Sequence, residues 1–401
     1  MKRTFVLTDL EKNSNKYWTI DLQGTVVTTE YGRVGGKGAV ENKNFGSAGE
    51  AQKYYDTKIR DKSKVKPGRR DTYTEITLVD VGSITHTTSP LKRSLRELAL
   101  AEIETNSPSC KDLIGYLVDT NIHNITSSTT ITYNIAEGCF RTPLGIVDKE
   151  CIEQAKALLA KIEPYVLAEE YSSSDLLSLS NQYFRRIPQD LGGSHVRIHL
   201  KDVFRDLAKQ YSIIEGLEAA VVTESPSSST VKTFDSKIEL LSSVPEKVSS
   251  LYKGSHGYKI KNTYSINIQS VLQSYNKYGS KIDNKHLLWH GTSPGNILSI
   301  LKSGLVILPN ATNGSRFGRG IYFSDRSSMS LSYASASQCN GKTTKFMFIS
   351  EVALGKVYYG SGSSLSGDYH SRWAEKDSDT SQIIVYKNGQ AQILYLVELT
   401  G

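Results

Sequence analysis

The chain has 401 residues, 38% of them apolar and 22% charged, and a formal net charge of +7, a composition typical of a soluble globular protein of two or three domains. No apolar run approaches the roughly 18 residues of a membrane span, and the opening MKRTFVLTDLEKN lacks the apolar core of a secretory signal, so an intracellular protein with no membrane partner is expected. Cys110, Cys139, Cys151 and Cys339 stand far apart, with no CxxC or Cys/His cluster, which argues against a disulfide framework and against a metal site.

The first 80 or so residues read as a small sheet plus one helix. Phe5 to Leu7, Tyr17 to Leu22 and Thr25 to Tyr31 are β-rich, with Gln23-Gly24 as a tight turn. Ser47-Ala-Gly-Glu50 has the form of a capping box, and Ala51, Tyr55 and Ile59 follow at helical spacing until Pro67-Gly68. Thr74 to Val79 reads as a return to the sheet. Lys53 to Arg70 is rich in Lys and Arg, which suits either a solvated helix face or a polyanion contact.

From Pro90 to about Val222 the periodicity becomes helical. Leu91, Leu95, Leu98 and Ile103 form one apolar face. Ile152, Ala155, Leu159 and Ile162 form another, entered at Asp148. Leu176, Leu177, Leu179 and Phe184 mark a third helix, and Val203, Leu207, Tyr211, Ile214 and Leu217 a fourth, giving an all-α bundle. The polar run ESPSSST (224–230) reads as a linker. The remaining chain is mixed but mainly β: Gly320 to Phe323, Lys345 to Leu354, Gln382 to Tyr386 and Ala391 to Leu399 read as strands, the last two as a hairpin turning at Lys387-Asn-Gly389. The Gly/Ser-rich stretch at 360–367 reads as an exposed loop. The expected domains are 1–82, 88–222 and 231–401.

Chemistry concentrates in the last domain. Leu287-Leu-Trp-His-Gly-Thr292 ends an apolar strand in a histidine and a glycine. Phe317-Gly-Arg-Gly-Ile-Tyr-Phe-Ser-Asp325 follows, then Ser330 and Tyr333, then Glu351-Val-Ala-Leu-Gly355 and Gln382-Ile-Ile-Val-Tyr386. An imidazole can hydrogen-bond ribose hydroxyls, a glycine lets backbone approach a planar carboxamide, and a tyrosine can stack on a pyridinium ring. Each motif alone is more often an ordinary turn or a buried strand; their order and spacing together are far more specific.

This joint pattern resembles the catalytic domain of the poly(ADP-ribose) polymerases, whose His-Tyr-Glu triad maps here to His290, Tyr322 and Gln382. The resemblance implies an NAD+ site in which Gly291 pairs with the nicotinamide carboxamide and Ser330 donates to it. Tyr322 and Tyr333 would sandwich the ring, Thr292 and Asn296 would line the adenosine side, and the loop at 308–319 would cover the pocket. Thr142-Pro-Leu-Gly145, Ser180-Asn-Gln-Tyr-Phe184 and Ile187-Pro-Gln-Asp190 resemble the family's helical regulatory domain. Tyr17-Trp18, Tyr31-Gly-Arg-Val-Gly35, Phe45, Ala51 and Tyr55 resemble its WGR domain, with Tyr31 in place of the tryptophan. By that resemblance the partners are DNA ends or nicks, and the DNA-binding candidates are Trp18, Tyr31, Arg33, Lys43, Lys62 and Lys64. Arg33 also suits a second role, satisfying turn carbonyls. Val306 replaces an arginine often found on the adenosine side, and Met329 replaces a lysine beside the nicotinamide serine.

Gln382 departs from the family glutamate. A carboxylate there stabilises the oxocarbenium-like ribose and polarises the acceptor hydroxyl for chain growth. The amide keeps an acceptor oxygen but neither charge nor basicity. The first role should fall by roughly 100- to 1,000-fold, the second by a further factor on the order of 10² to 10⁴. The resemblance thus implies transfer of a single ADP-ribose to protein or nucleic-acid acceptors, with 356–379 setting acceptor choice and an accessory protein able to complete the site. If Gln382 stands in place of a natural glutamate, polymer synthesis leads instead. The alternative is an impaired protein that binds DNA ends and NAD+ or ADP-ribose. Such a protein belongs in the nucleus of a eukaryote, otherwise in the cytoplasm.

Overall fold

The computed structural model describes residues 1–34, 36–64, 73–76, 94–142, 145–189, 198–205, 207–220, 232–254, 257–307, 315–339, 341–360 and 367–401. Gly35, Pro67-Gly68, 77–79, Leu91, Pro143-Leu144, Asp190, the 224–230 linker, 308–314 of the donor loop and 361–366 of the Gly/Ser-rich loop lie outside them.

Strands β1 (Lys2–Asp9), β2 (Ser14–Gln23) and β3 (Val26–Arg33) form an antiparallel meander, with Gly24 at φ 61 in the second turn. Strand β4 (Ala39–Asn44) adds to β3; all its residues are exposed, so it offers no apolar alternation for a sequence reading to find. Helix α1 (Ala48–Ser63) is capped by Ser47, whose hydroxyl accepts from the Glu50 N–H, while the Glu50 carboxylate accepts from the Gly46 N–H. Ala51, Tyr55 and Ile59 pack on Phe5, Trp18, Ile20 and Val27. Strand β5 (Thr74–Ile76) closes the order β4-β3-β2-β1-β5.

Helix α2 (Leu95–Glu102) opens with a reciprocal Ser94/Glu97 capping box and is followed by β6 (Glu104–Thr105) and α3 (Pro108–Ser128). Strands β7 (Thr132–Asn134), β8 (Cys139–Thr142) and β9 (Gly145–Ile146) add a small antiparallel sheet to the helical region. Helix α4 (Lys149–Leu167) starts at Asp148 and buries Ile152, Ala155, Leu159 and Ile162, as its periodicity requires. Helix α5 (Ser174–Arg186) buries Leu176 and Phe184. The expected single helix from Val203 to Leu217 is instead two, α6 (Leu200–Val203) and α7 (Leu207–Ala220). Phe204 leaves helical geometry at ψ 14 and is buried, its ring centroid 6.0 Å from that of Phe184, so packing of one aromatic overrides the periodicity.

The rest of the chain comprises β10 (Ser236–Leu240), α8 (Glu246–Leu251), β11 (Lys259–Ile268), α9 (Gln269–Lys277), β12 (Lys285–Gly291), α10 (Pro294–Ser303) and β13 (Ile321–Phe323). It continues with α11 (Ser327–Tyr333), β14 (Ser337–Cys339), β15 (Lys342–Ala353), β16 (Val357–Tyr359), β17 (Ser371–Ala374), β18 (Gln382–Val385) and β19 (Ala391–Thr400). One sheet has the order β12-β15-β19-β11-β10-β6, with β14 on β15; the other runs β13-β18-β17-β16. The proposed hairpin at Lys387-Asn-Gly389 is corrected: β18 pairs with β13 and β17, whereas β19 pairs with β11 and β15. The turn carries the chain from one sheet to the other, held by the Gln390 N–H on the Lys387 carbonyl and by the Gln390 side chain.

By packing, the chain divides into two compact units, Met1–Lys92 with Ile125–Asp206, and Arg93–Asn124 with Leu207–Gly401. All four cysteines are free thiols. Among the described residues no helix is long and apolar enough to cross a membrane.

Within the second unit, buried Glu398 accepts from Lys261 (2.7 Å), Asn262 (2.8 Å) and the Tyr264 hydroxyl (3.0 Å), and burial pushes the Tyr264 phenol strongly upward. Lys261→Met should leave this carboxylate buried without its cation. Because Lys261 stays one-third exposed, the loss belongs near the lower end of roughly 3–5 kcal/mol, readable as a reduced urea midpoint.

Candidate active site

Strand β12 is the edge of its sheet, and past β15 its free side meets β13 through a single bridge. Trp289 N–H donates to Ser324 O at 2.9 Å, and Ser324 N–H to Trp289 O at 3.0 Å. By the two-residue alternation of a strand, the Gly291 N–H and C=O point to this same side, beyond the end of the bridge. Close packing explains the glycine: a Cβ on Gly291 would lie 1.7 Å from the Ser330 carbonyl oxygen. Gly320 of the second motif is constrained likewise, with Ile384 at 2.4 Å and the Val385 carbonyl at 2.6 Å from an added Cβ.

His290 is half-buried, and its Nδ1 lies 2.8 Å from the Tyr322 carbonyl. A carbonyl only accepts, so Nδ1 carries the proton and Nε2 of the neutral ring is an acceptor. Burial holds the imidazole below its ordinary value, against the opposing pull of that carbonyl. Tyr322 accepts from the Phe317 N–H (3.1 Å) and donates to the Gly318 carbonyl (2.7 Å), and burial pushes its phenol up to about 12.

Register joins Gln382 to this group. Tyr322 faces Ile384 and Phe323 faces Ile383, which sets Ser324 opposite Gln382; the Ser324 hydroxyl donates to the Ser381 carbonyl at 2.7 Å. Tyr322 and Gln382 therefore share one face of the sheet. Strands β12, β13 and β18 are successive neighbours, and they carry His290, Tyr322 and Gln382. The Gln382 amide makes no hydrogen bond among the described residues.

Ser330 is buried on α11, and its hydroxyl donates to Trp289 O at 3.1 Å, so its one proton is engaged within the protein and its lone pairs remain. Tyr333 ends the same helix, 51% exposed. The Asn296 amide donates to Thr292 at 3.4 Å and its oxygen accepts from Ser212 of α7 at 2.6 Å. Ser299 and Lys302 of α10 also donate to the α7 carbonyls of Glu215 and Glu218. Asn296 and its helix α10 are thus tied to α7.

The DNA-binding candidates separate. Trp18 requires correction: at 3% exposure, with its centroid 5.5 Å from Phe5, it packs the core beneath the Lys62 ammonium rather than facing a ligand. Tyr31 is 39% exposed and donates to Glu41 at 2.6 Å. Arg33 donates from both ends of its guanidinium to Asn13, the turn-satisfying role, and lines a cleft of about 200 Å³ with Asp9, Asn15 and Thr130. Lys43 sits over Phe45 and Tyr54, and Lys62 over Trp18 and Tyr73; Lys64 caps α1 in extended conformation. Among the described residues no cluster of His, Cys, Asp and Glu could hold a metal ion.

A neutral histidine next to an open glycine edge, and a tyrosine that shares one sheet face with Gln382 of β18, fit an ADP-ribosyltransferase catalytic domain. Residues 240–390 match the poly(ADP-ribose) polymerase catalytic domain, 107–240 the poly(ADP-ribose) polymerase regulatory domain and 1–71 the WGR domain, and the chain belongs to the poly(ADP-ribose) polymerase family. It is similar to protein mono-ADP-ribosyltransferase PARP3 of Homo sapiens, 25% identical over 88% of this chain and 71% of that one. Poly [ADP-ribose] polymerase 2 of Homo sapiens is 26% identical, over 87% and 64%. Poly [ADP-ribose] polymerase 1 of Danio rerio is 29% identical over 54% of this chain and 23% of its own length.

Gly291→Ala should force the Ser330 backbone away and cost roughly 1–3 kcal/mol, seen as a lower thermal midpoint. The His290 shift gives a pH signature. Because the folded value lies below the ordinary 6.5, the unfolded chain binds the proton first as pH falls, so this group's stabilisation is complete above 6.5 and is lost through the folded value. His290→Gln should flatten that part of the acid-side decline in urea midpoints measured from about pH 7 to pH 5.

Proposed function

We propose that this chain is a DNA-break-responsive ADP-ribosyltransferase that releases nicotinamide from NAD+ and transfers one ADP-ribose to a protein or nucleic-acid acceptor. The observation that carries the single-transfer reading is the neutral, unengaged amide of Gln382 on the Tyr322 face. His290 Nε2, as an acceptor, suits a ribose hydroxyl. The Gly291 edge suits the carboxamide, whose amide and oxygen complement a backbone C=O and N–H, and Tyr322 and Tyr333 suit the nicotinamide ring. With no carboxylate at 382, the cationic ribose lacks its main electrostatic partner and the acceptor hydroxyl lacks a base, so the acceptor or an accessory protein must supply it.

The WGR sheet is the proposed contact for DNA ends or nicks, through Tyr31 and the Lys43, Lys62 and Lys64 ammoniums. The Ser212 hydrogen bond on Asn296 supports control of the donor site by the helical region, released when DNA is bound. A second reading, a protein that binds DNA ends and NAD+ or ADP-ribose without turnover, is favoured by Ser330, whose donor proton is already engaged by Trp289.

Incubation with labelled NAD+, with and without nicked DNA bearing a 5'-phosphate, tests both. Transfer should appear mainly with DNA and as single units. Gln382→Glu should raise the rate by about 100- to 1,000-fold and permit chains. Equal label in both arms would remove the DNA coupling, and no turnover in either the parent or the Gln382→Glu protein would leave the binding reading.

A further inference from the structure

Arg372 is fully buried in β17, among the largest side chains in the structure with no exposed surface. Its neighbours are fixed by register: Tyr322 of β13, Ile384 of β18, Arg372 of β17 and Tyr358 of β16 stand in one row across the sheet, on one face. The guanidinium lies 5.1 Å from the Tyr358 ring centroid and 5.9 Å from that of Phe317. Burying a guanidinium is costly, and two aromatic faces offset part of that cost while fixing its plane.

Phe317 connects this cation to the site. Its ring, 1% exposed, packs with Ala374 and Ile384, and its backbone holds two phenols: the N–H donates to Tyr322, and the carbonyl accepts from Tyr386 at 2.8 Å. Arg372 also acts electrostatically on both phenols. The Tyr322 hydroxyl is thus bracketed by Phe317 and Gly318, in the described segment 315–319 just before β13, and the Phe317 ring rests against Arg372.

We infer that Arg372 is a positioning residue: by clamping Phe317 against Tyr358 it fixes the segment 315–319 and, through it, the orientation of the Tyr322 ring. A planar guanidinium contacts both rings, whereas an ammonium presents a single point charge, so lysine does not replace it. The link to NAD+ rests on the proposed transferase reading; the clamp itself does not.

Two variants, Arg372→Lys and Arg372→Met, are read by hydrogen exchange of peptides covering 315–323 and by NAD+ kinetics. In folded protein, exchange at the Phe317 amide should quicken at least ~10-fold while β12 and β15 keep parental protection, with KM for NAD+ rising about 10-fold and kcat within threefold. Parental exchange in either folded variant overturns the clamp, and so does recovery of parental exchange by lysine. Should neither variant fold, Phe317→Leu must give the same exchange and KM changes, and parental values there overturn the inference. If the unmutated protein turns over no NAD+, the transferase reading fails, and the exchange measurement alone still decides the clamp.

Discussion

The Trp289–Ser324 backbone bridge is the interaction on which the site depends. It joins the edge of one sheet to the edge of another with two hydrogen bonds, and both partners are buried. The candidate site residues are placed relative to it. His290 and Gly291 follow Trp289, Tyr322 precedes Ser324 by two residues, Gln382 stands opposite Ser324, and the Ser330 hydroxyl donates to the Trp289 carbonyl. Since the bridge is only one residue pair long, the edge beyond it is left unpaired at Gly291.

Around this bridge the protein keeps its polar groups committed. The His290 Nδ1 proton, the Ser330 proton and both capacities of the Tyr322 hydroxyl are engaged by backbone. Such commitments hold rings and tautomers in place in advance, so little reorganisation remains when a ligand arrives. Gln382 differs from them: its amide, on the Tyr322 face, makes no hydrogen bond among the described residues, and the single-transfer proposal rests on that one side chain.

Legibility of the sequence followed physical rules. Ala51, Tyr55 and Ile59 were readable as one helix face because a single stripe is buried there, and Asp148 because a cap competes with no tertiary contact. Helix α3 was not read. Its buried residues, Cys110, Leu113, Ile114, Leu117, Val118, Asn121 and Ile125, recur at helical spacing, but the Asn, Thr and Ser of the helix have weak helix propensity and mask the stripe. Strand β4 carries no apolar residue pattern at all. The false hairpin at Lys387 to Gly389 arose because turn chemistry specifies a reversal of the chain but not which sheet receives the next strand. Trp18 became a DNA-binding candidate through the WGR resemblance, and its register with Phe5 on β1 and β2 places it in the core. Arg372 gave no signal, since nothing in His-Ser-Arg-Trp says that the arginine will be buried.

The sequence by itself determined which side chains are on offer: a histidine and glycine closing a strand, a tyrosine in a glycine-flanked strand, and a glutamine opening a later strand. These are local facts, written in residue type and spacing. Only the tertiary structure decided that the strands become neighbours, which hydroxyls are already engaged, that Arg33 turns to Asn13, and that a buried guanidinium supports the tyrosine. Those outcomes depend on long-range register and burial, where a contact between residues tens to hundreds of positions apart is set by packing of the whole domain rather than by any local pattern.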